Sequence, residues 1–266
     1  MFGLLNFTFG VLLRRTRTQS VAGLCLISCP FLQAAWTLDP AEKLDAPAGL
    51  EFARLRAAQG AERVELHLVT FDTRTHTLAV MDNPEGAFDL GSASQRRGVL
   101  AAVNGGYFHP DKSPLGLVVR QGKTLHPLER ARLLSGLVVV TRERVALLRV
   151  AELKLSPGVR EALQAGPFLV DRGKPVVGLD AKRDAARTVV LTDGARRFGL
   201  LVCHSATLRE MAELLTTPGL LPAGRVTRAL NLDGGSSTAL WVKQEPRPLY
   251  LREWKGVRNY LGIVSR

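Results

Sequence analysis

Several things are scarce in this sequence. Of its three cysteines, Cys25 and Cys29 lie in the first 35 residues and Cys203 stands alone after them. No internal disulfide can therefore staple the rest, and the fold must rest on packing. Cys203 closes the apolar run Phe198 to Cys203, which reads as a buried, inert thiol and not a nucleophile. Aromatic residues make up 6% of the chain. The arginines are scattered, with no basic run interleaved by base-stacking aromatics, so nucleic acid is not the expected partner. The five histidines, His67, His76, His109, His126 and His204, show no His-x-x-x-His or His-x-His spacing with carboxylates, which argues against a zinc site. A Gly-x-Ser-x-Gly elbow, a P-loop and a dinucleotide fingerprint are all missing. With them go serine hydrolases of that type and the common nucleotide enzymes.

Acidic residues are absent from the first 35 positions, which carry Arg14, Arg15 and Arg17 ahead of the mostly apolar run Val21 to Ala35. That order of charge and hydropathy is an export signal, and the run is short for a membrane span. The expectation is a periplasmic or secreted protein cut after Ala34 and Ala35. The alternative is a membrane-anchored lipoprotein, because Leu26-Ile27-Ser28-Cys29 resembles a lipidation box on Cys29. Contact with a membrane is expected only through this segment or that lipid.

The chain carries +12. Since 1–35 holds three of the basic residues and no acidic one, the remainder keeps +9, and anionic partners are favoured.

What is present is mostly strand pattern. Val64, Leu66 and Leu68 alternate with polar residues before the turn Asp72-Thr73-Arg74-Thr75 and the apolar stretch Leu78 to Val80. Ser92 to Val103 reads as a short helix running into a buried strand. Strand patterns recur at 116–120, 137–141, 145–150, 168–170, 188–191 and 198–203, with turns at Gln121-Gly122-Lys123 and Asp171-Arg172-Gly173-Lys174. Thr207 and Glu210 form a capping box, and Leu208, Met211, Ala212 and Leu215 recur at helical spacing. Ala229 to Leu232, Thr238 to Val242 and Tyr260 to Val264 complete the strands. No linker divides residues 36–266. The expected fold is α+β: a single domain with a mixed, sheet-rich core and a few flanking helices.

Asn231-Leu232-Asp233-Gly234-Gly235-Ser236-Ser237-Thr238 ends a strand in a carboxylate, two glycines and three hydroxyls. Glycines let a backbone turn sharply and lie close to a ligand, and their amides can form an anion nest. A plain hairpin turn has the same composition, and residues alone leave both readings open. Asn104-Gly105-Gly106-Tyr107-Phe108 admits the same pair: a Gly-rich turn, or a loop in which Asn104 meets a ligand and Tyr107 or Phe108 walls it. Arg187, at a strand start, would clamp phosphate only if aimed inward.

Taken in order, Asn104–Phe108 with Pro114–Leu117, Ala165-Gly166-Pro167-Phe168-Leu169-Val170, Arg187-Thr188, Leu230–Thr238 and Val257–Ile263 resemble the motifs of the phosphodiester glycosidases. The resemblance spans roughly residues 62 to 264. It implies hydrolysis of a sugar 1-phosphodiester in an envelope or extracellular glycan, on an anionic sugar-phosphate or phosphorylated glycan substrate. It assigns catalytic roles to Asp233, Arg187 and Asn104. It assigns substrate contacts to Gly105, Gly106, Gly166, Asn231, Gly234, Gly235, Ser236, Ser237, Thr238 and Arg258, the last as a second clamp. No cofactor is expected with certainty, and a divalent metal between Asp233 and phosphate is left open. Asp180 and Asp193 read as ordinary turn aspartates, so no second carboxylate is identified. The chain departs from the family at Ser236, where the motif has a third glycine. That departure is the one feature favouring the rival reading, a non-catalytic exported module that binds an anionic glycan.

Overall fold

The computed structural model describes residues 35–154 and 158–266, apart from the side chains of residues 96 and 97. The expected export signal, with Cys29 and Ala34, lies outside the described residues.

Three antiparallel sheets build the domain. At the centre of the nine-stranded sheet, Glu62–Asp72, Arg197–Ala206, Ala185–Thr192, Arg228–Asn231 and Phe168–Asp171 lie side by side in that order. A five-stranded sheet is built around Gly136–Val140 and Glu161–Ala165, and another around Ala101–Asn104 and Asn259–Ser265. Their inner faces share one apolar core: Val69, Val190, Leu200 and Leu230 from the large sheet meet Val138 and Leu163 from the second and Val103 and Leu261 from the third.

The other face of the large sheet is covered by the helix Leu208–Leu215, whose Met211, Ala212, Leu214 and Leu215 pack on Leu169, Val189 and Leu201. This double burial explains why Val189 to Leu191 and Leu200 to Cys203 are continuously apolar and do not alternate.

Local signals hold where side chains act on their own backbone. The Thr207 hydroxyl accepts from the Glu210 amide and the Glu210 carboxylate from the Thr207 amide, at 3.2 and 2.8 Å. Both hairpin turns appear, with positive φ at Gln121 (51°) and Gly122 (80°), and at Arg172 (51°) and Gly173 (76°). The first helix is Leu90–Arg97, capped by Asp89 and closed by Gly98 at φ 63°, before the strand Ala101–Asn104.

Helix is a small share of the fold. Among the described residues the α-helices are two, of eight residues each. The sheet-rich single core stands, and the fold is mostly β. One long strand, Leu50–Gln59, alternates only in two short stretches, Leu50-Glu51-Phe52 and Leu55-Arg56-Ala57, broken at Ala53-Arg54, and is joined to its partner Glu62–Asp72 by a turn at Gly60 (φ 58°).

Candidate functional site

Antiparallel pairing decides which motif ends meet. Ala185–Thr192 lies against Arg228–Asn231 with Val189 opposite Asn231, so the start of one strand, carrying Arg187 and Thr188, adjoins the exit of the other, carrying Asp233. Phe168 pairs with Leu230, which brings Gly166 and Pro167 to the same edge. From the third sheet, Asn104 pairs with Tyr260 and delivers its loop there too.

Hydrogen bonds knit these ends together. The Asp233 amide donates to the Gly105 carbonyl at 3.1 Å, and the Asn104 amide nitrogen donates to the Asp233 carbonyl at 2.8 Å. Asn104 Oδ1 accepts from the Thr188 hydroxyl at 2.6 Å and from the Ala239 amide at 3.1 Å. The Leu232 amide donates to the Thr188 carbonyl. The Gly106 amide donates to Asn259 Oδ1 at 2.9 Å. A Cβ on Gly105 would stand 1.9 Å from that same oxygen, so the backbone approaches closer than any side chain permits. The Tyr107 hydroxyl donates to the Gly166 carbonyl at 2.6 Å and accepts from Asn231 Nδ2 at 2.9 Å.

The structure therefore brings all five motif blocks to one place, but not in the roles expected for each residue. Asn104 is fully buried, and both ends of its amide are spent on protein groups. In this arrangement it positions the Asp233 turn. Asn231 is similar, except that its Oδ1 bonds to no protein group, as is true of Thr238 Oγ1. Arg258 is corrected as a second clamp: it is buried and its guanidinium is ion-paired with Asp82. Asp193 accepts from the Ala195 and Arg197 amides and Asp180 from the Lys182 amide, both within turns.

Asp233 is half-buried. Burial pushes its carboxyl above the ordinary value, opposed by the Ser237 hydroxyl, the Gly234 amide and the charge of Lys255. Arg187 is 8% exposed. Its Nε donates to the Ala206 carbonyl at 2.8 Å and its Nη2 to the Arg183 carbonyl at 2.6 Å. Among the described residues no carboxylate is ion-paired with it, and burial, aided by the charge of Arg183, lowers its hold on its proton against the opposing pull of Cys203, Tyr107 and Asp180. Asp233 and Arg187 do not shift one another, yet both act on the Tyr107 hydroxyl, which burial and Asp233 push up and Arg187 and Arg183 pull down. Tyr107 thus feels the charge of both the carboxylate and the guanidinium.

The glycine run is tight where it must be. A Cβ on Gly234 would meet the Ala186 carbonyl at 2.6 Å, and Gly235 has φ 61° with open space around it. Ser236 follows in the 3-10 turn Gly235–Ser237 and is not among the residues with positive φ. The backbone conformation here makes no demand for a third glycine. Ser236 is exposed, and its carbonyl accepts from the Trp254 amide at 2.9 Å. Lys255, Arg183 and Trp254 are the neighbours that sequence reasoning passed over. Arg183 sat in a charge run read as solvated, and Trp254 and Lys255 immediately precede the last motif block.

Among the described residues one trio lies within reach of a common metal ion: Glu65, His67 and His204, on the strands Glu62–Asp72 and Arg197–Ala206. None of the three belongs to the motif blocks.

No curated protein matches the chain. Among solved structures, a hypothetical protein from Synechocystis is similar at 18% identity and TM-score 0.59, covering 86% of this chain. The chain spans only 64% of that protein's length. The catalytic domain of zebrafish N-acetylglucosamine-1-phosphodiester alpha-N-acetylglucosaminidase, auto-inhibited by its pro-peptide, is similar at 16% identity and TM-score 0.63, over 87% of this chain and 89% of that one. A putative exported protein from Burkholderia pseudomallei K96243 follows at 13% identity and TM-score 0.55, over 78% and 76%. At such identities these likenesses speak for the fold. The sequence model of the phosphodiester glycosidases matches residues 97–264, well over half the chain and all five converging blocks, and the chain belongs to that family.

Proposed function

We propose that this protein hydrolyses the bond between an anomeric carbon and a phosphate oxygen in a sugar 1-phosphodiester. The observation that carries the reading is Arg187: a buried guanidinium with no ion-paired carboxylate among the described residues, within electrostatic reach of the same tyrosine as the half-buried Asp233. A buried charge is costly unless something pairs with it. The phosphate of the substrate would be that partner.

Glycosyl transfer passes through an oxocarbenium-like state and needs a carboxylate at the anomeric carbon, as base for water or as nucleophile. Asp233 is the carboxylate so assigned, and its raised pKa suits it to take and hold a proton. A phosphate ester leaves readily, so charge stabilisation matters more than protonation of the leaving oxygen. Arg187 and the amides of the Gly234–Ser237 turn supply that stabilisation. Asn104, Thr188 and Asn231 hold the turn in register.

The proposed setting is the periplasm or the cell exterior, resting on the order of charge and hydropathy in the first 35 residues. The test is sugar release from a panel of glycosyl phosphodiesters in H2(18)O. Cleavage as proposed puts the heavy oxygen on the sugar. No release across the panel, or label on the phosphate, overturns the reading.

A further inference from the structure

The motif blocks leave unused three side chains that converge elsewhere on the large sheet. Glu65 and His67 are two apart on the strand Glu62–Asp72 and so point to one face of it. The neighbouring strand Arg197–Ala206 sets Val202 opposite His67 and Cys203 opposite Leu66, which carries His204 to the position across from Glu65. One nitrogen of each imidazole and one carboxylate oxygen all lie within 4.8 Å of one another. Spacing along the chain does not reveal this, because the two histidines meet only through strand pairing.

His67 is the telling member. It is 4% exposed, yet its Nδ1 has no hydrogen-bond partner among the described residues. Its Nε2 stands 3.9 Å from Glu65 Oε1, beyond hydrogen-bond length. A buried polar side chain ordinarily finds a partner. Burial lowers the pKa of His67, opposed by Glu65 and aided by Arg54 and His204, and the ring stays in the neutral form that ligates a metal. His204 is exposed and opens the trio to solvent. Two arginines compete for Glu65: Arg54 Nε and Arg56 Nε lie 4.0 and 3.8 Å from its oxygens. Each guanidinium also reaches Glu42, at 3.3 and 3.9 Å, so giving up Glu65 leaves neither without a carboxylate.

We propose that Glu65, His67 and His204 form a binding site for a divalent transition ion of the Zn2+ class, with one coordination position left to water. Two imidazoles and one carboxylate suit such an ion, whereas Mg2+ and Ca2+ take oxygen ligands. Around tetrahedral zinc, ligand atoms about 2.1 Å from the ion stand about 3.4 Å apart. From separations of at most 4.8 Å, side-chain torsions on two paired strands need close the gap by no more than roughly 1.4 Å. The site does not depend on the activity proposed above.

The test is Zn2+ alone, titrated by calorimetry into the full chain after treatment with a chelator. One ion per chain is expected, and Zn2+ at about 100 times its dissociation constant should raise Tm by roughly 5–10 °C. His204→Ala changes an exposed position, so it should melt like the ion-free wild type and lose both responses. Glu65→Gln should weaken binding at least about tenfold. His126→Ala removes the histidine 3.7 Å from Glu129 and should alter neither response. Co2+ in place of Zn2+ should give visible ligand-field absorption without the sulfur-to-metal band that ligation by the neighbouring Cys203 would produce. No heat and no change in Tm at millimolar Zn2+, a sulfur-to-metal band, or binding that survives His204→Ala overturns the site.

Discussion

Replacing Arg187 by methionine separates a structural arginine from one kept for a ligand. Methionine keeps the apolar stem and removes the fork. In the free protein the substitution loses two charge-assisted bonds, to the carbonyls of Ala206 and Arg183. Together these are worth about 3–6 kcal/mol gross. Against that, the variant no longer buries a cation that lacks a carboxylate partner, a penalty of several kcal/mol. The two largely offset, so stability by chemical denaturation should move by less than about 2 kcal/mol. Activity should not be spared: loss of a group that stabilises transition-state charge costs roughly a hundred- to a thousandfold. A third reading comes from phosphate itself. At a concentration about 100 times its dissociation constant, a bound anion stabilises by about 2.7 kcal/mol, or roughly 5–10 °C in Tm for a domain this size. The wild-type chain should show that rise with a sugar phosphate and the methionine variant should not. If the variant unfolds readily yet any folded fraction keeps full kcat/KM and the same Tm response, Arg187 is a structural strut and the clamp is refuted.

Asp233→Asn should abolish turnover and, at neutral pH, raise Tm. Because burial raises the folded-state pKa above its ordinary value of 3.8, the unfolded chain releases this proton first as pH climbs, and stability drains away between the ordinary and the raised value. The gain in the asparagine variant should therefore vanish near pH 3, and equal melts for the two proteins at pH 7 would contradict the assignment. Gly235→Ala meets no neighbour but must hold φ 61°, a cost of about 1–2 kcal/mol. Ser236→Gly, restoring the family's third glycine, should shift stability by less than about 1 kcal/mol and leave kcat within a fewfold. A large gain in activity from it would show that the departure does matter. The Cys203 thiol, pushed up to about 12 by burial, should resist iodoacetamide at pH 8 in the folded protein. Peptide mapping would show it unmodified until denaturant is added.

Legibility tracked the range of the forces involved. The turns at Gln121-Gly122 and Arg172-Gly173 and the capped helix at Thr207 could be read because each is decided within four residues by backbone sterics or a local side chain. The apolar runs through Val189, Leu200 and Leu230 marked strands buried on both faces. The strand Leu50–Gln59 was not legible: with three alanines, two arginines and an alternation that breaks at Ala53-Arg54, it is held extended by ten paired residues of Glu62–Asp72. Propensity yields there to a tertiary partner. The motif blocks around Asp233 could be found in order along the chain, but nothing in their spacing told which side chains face a ligand.

By itself the sequence determined that the fold is sheet-rich and that its Gly-rich motif blocks lie at a few strand ends. Tertiary structure alone decided the division of labour among them. Asn104 and Arg258 are polar residues in the right blocks, yet the first is consumed holding the Asp233 turn and the second is neutralised by Asp82. Arg187, in a block no more distinctive, is buried and, among the described residues, ion-paired with no carboxylate, although Asp180 acts on it from farther off. Whether a buried polar group serves the fold or a ligand depends on which partners lie within about 3 Å of it. Those partners come from strands that may be more than a hundred residues away in the chain.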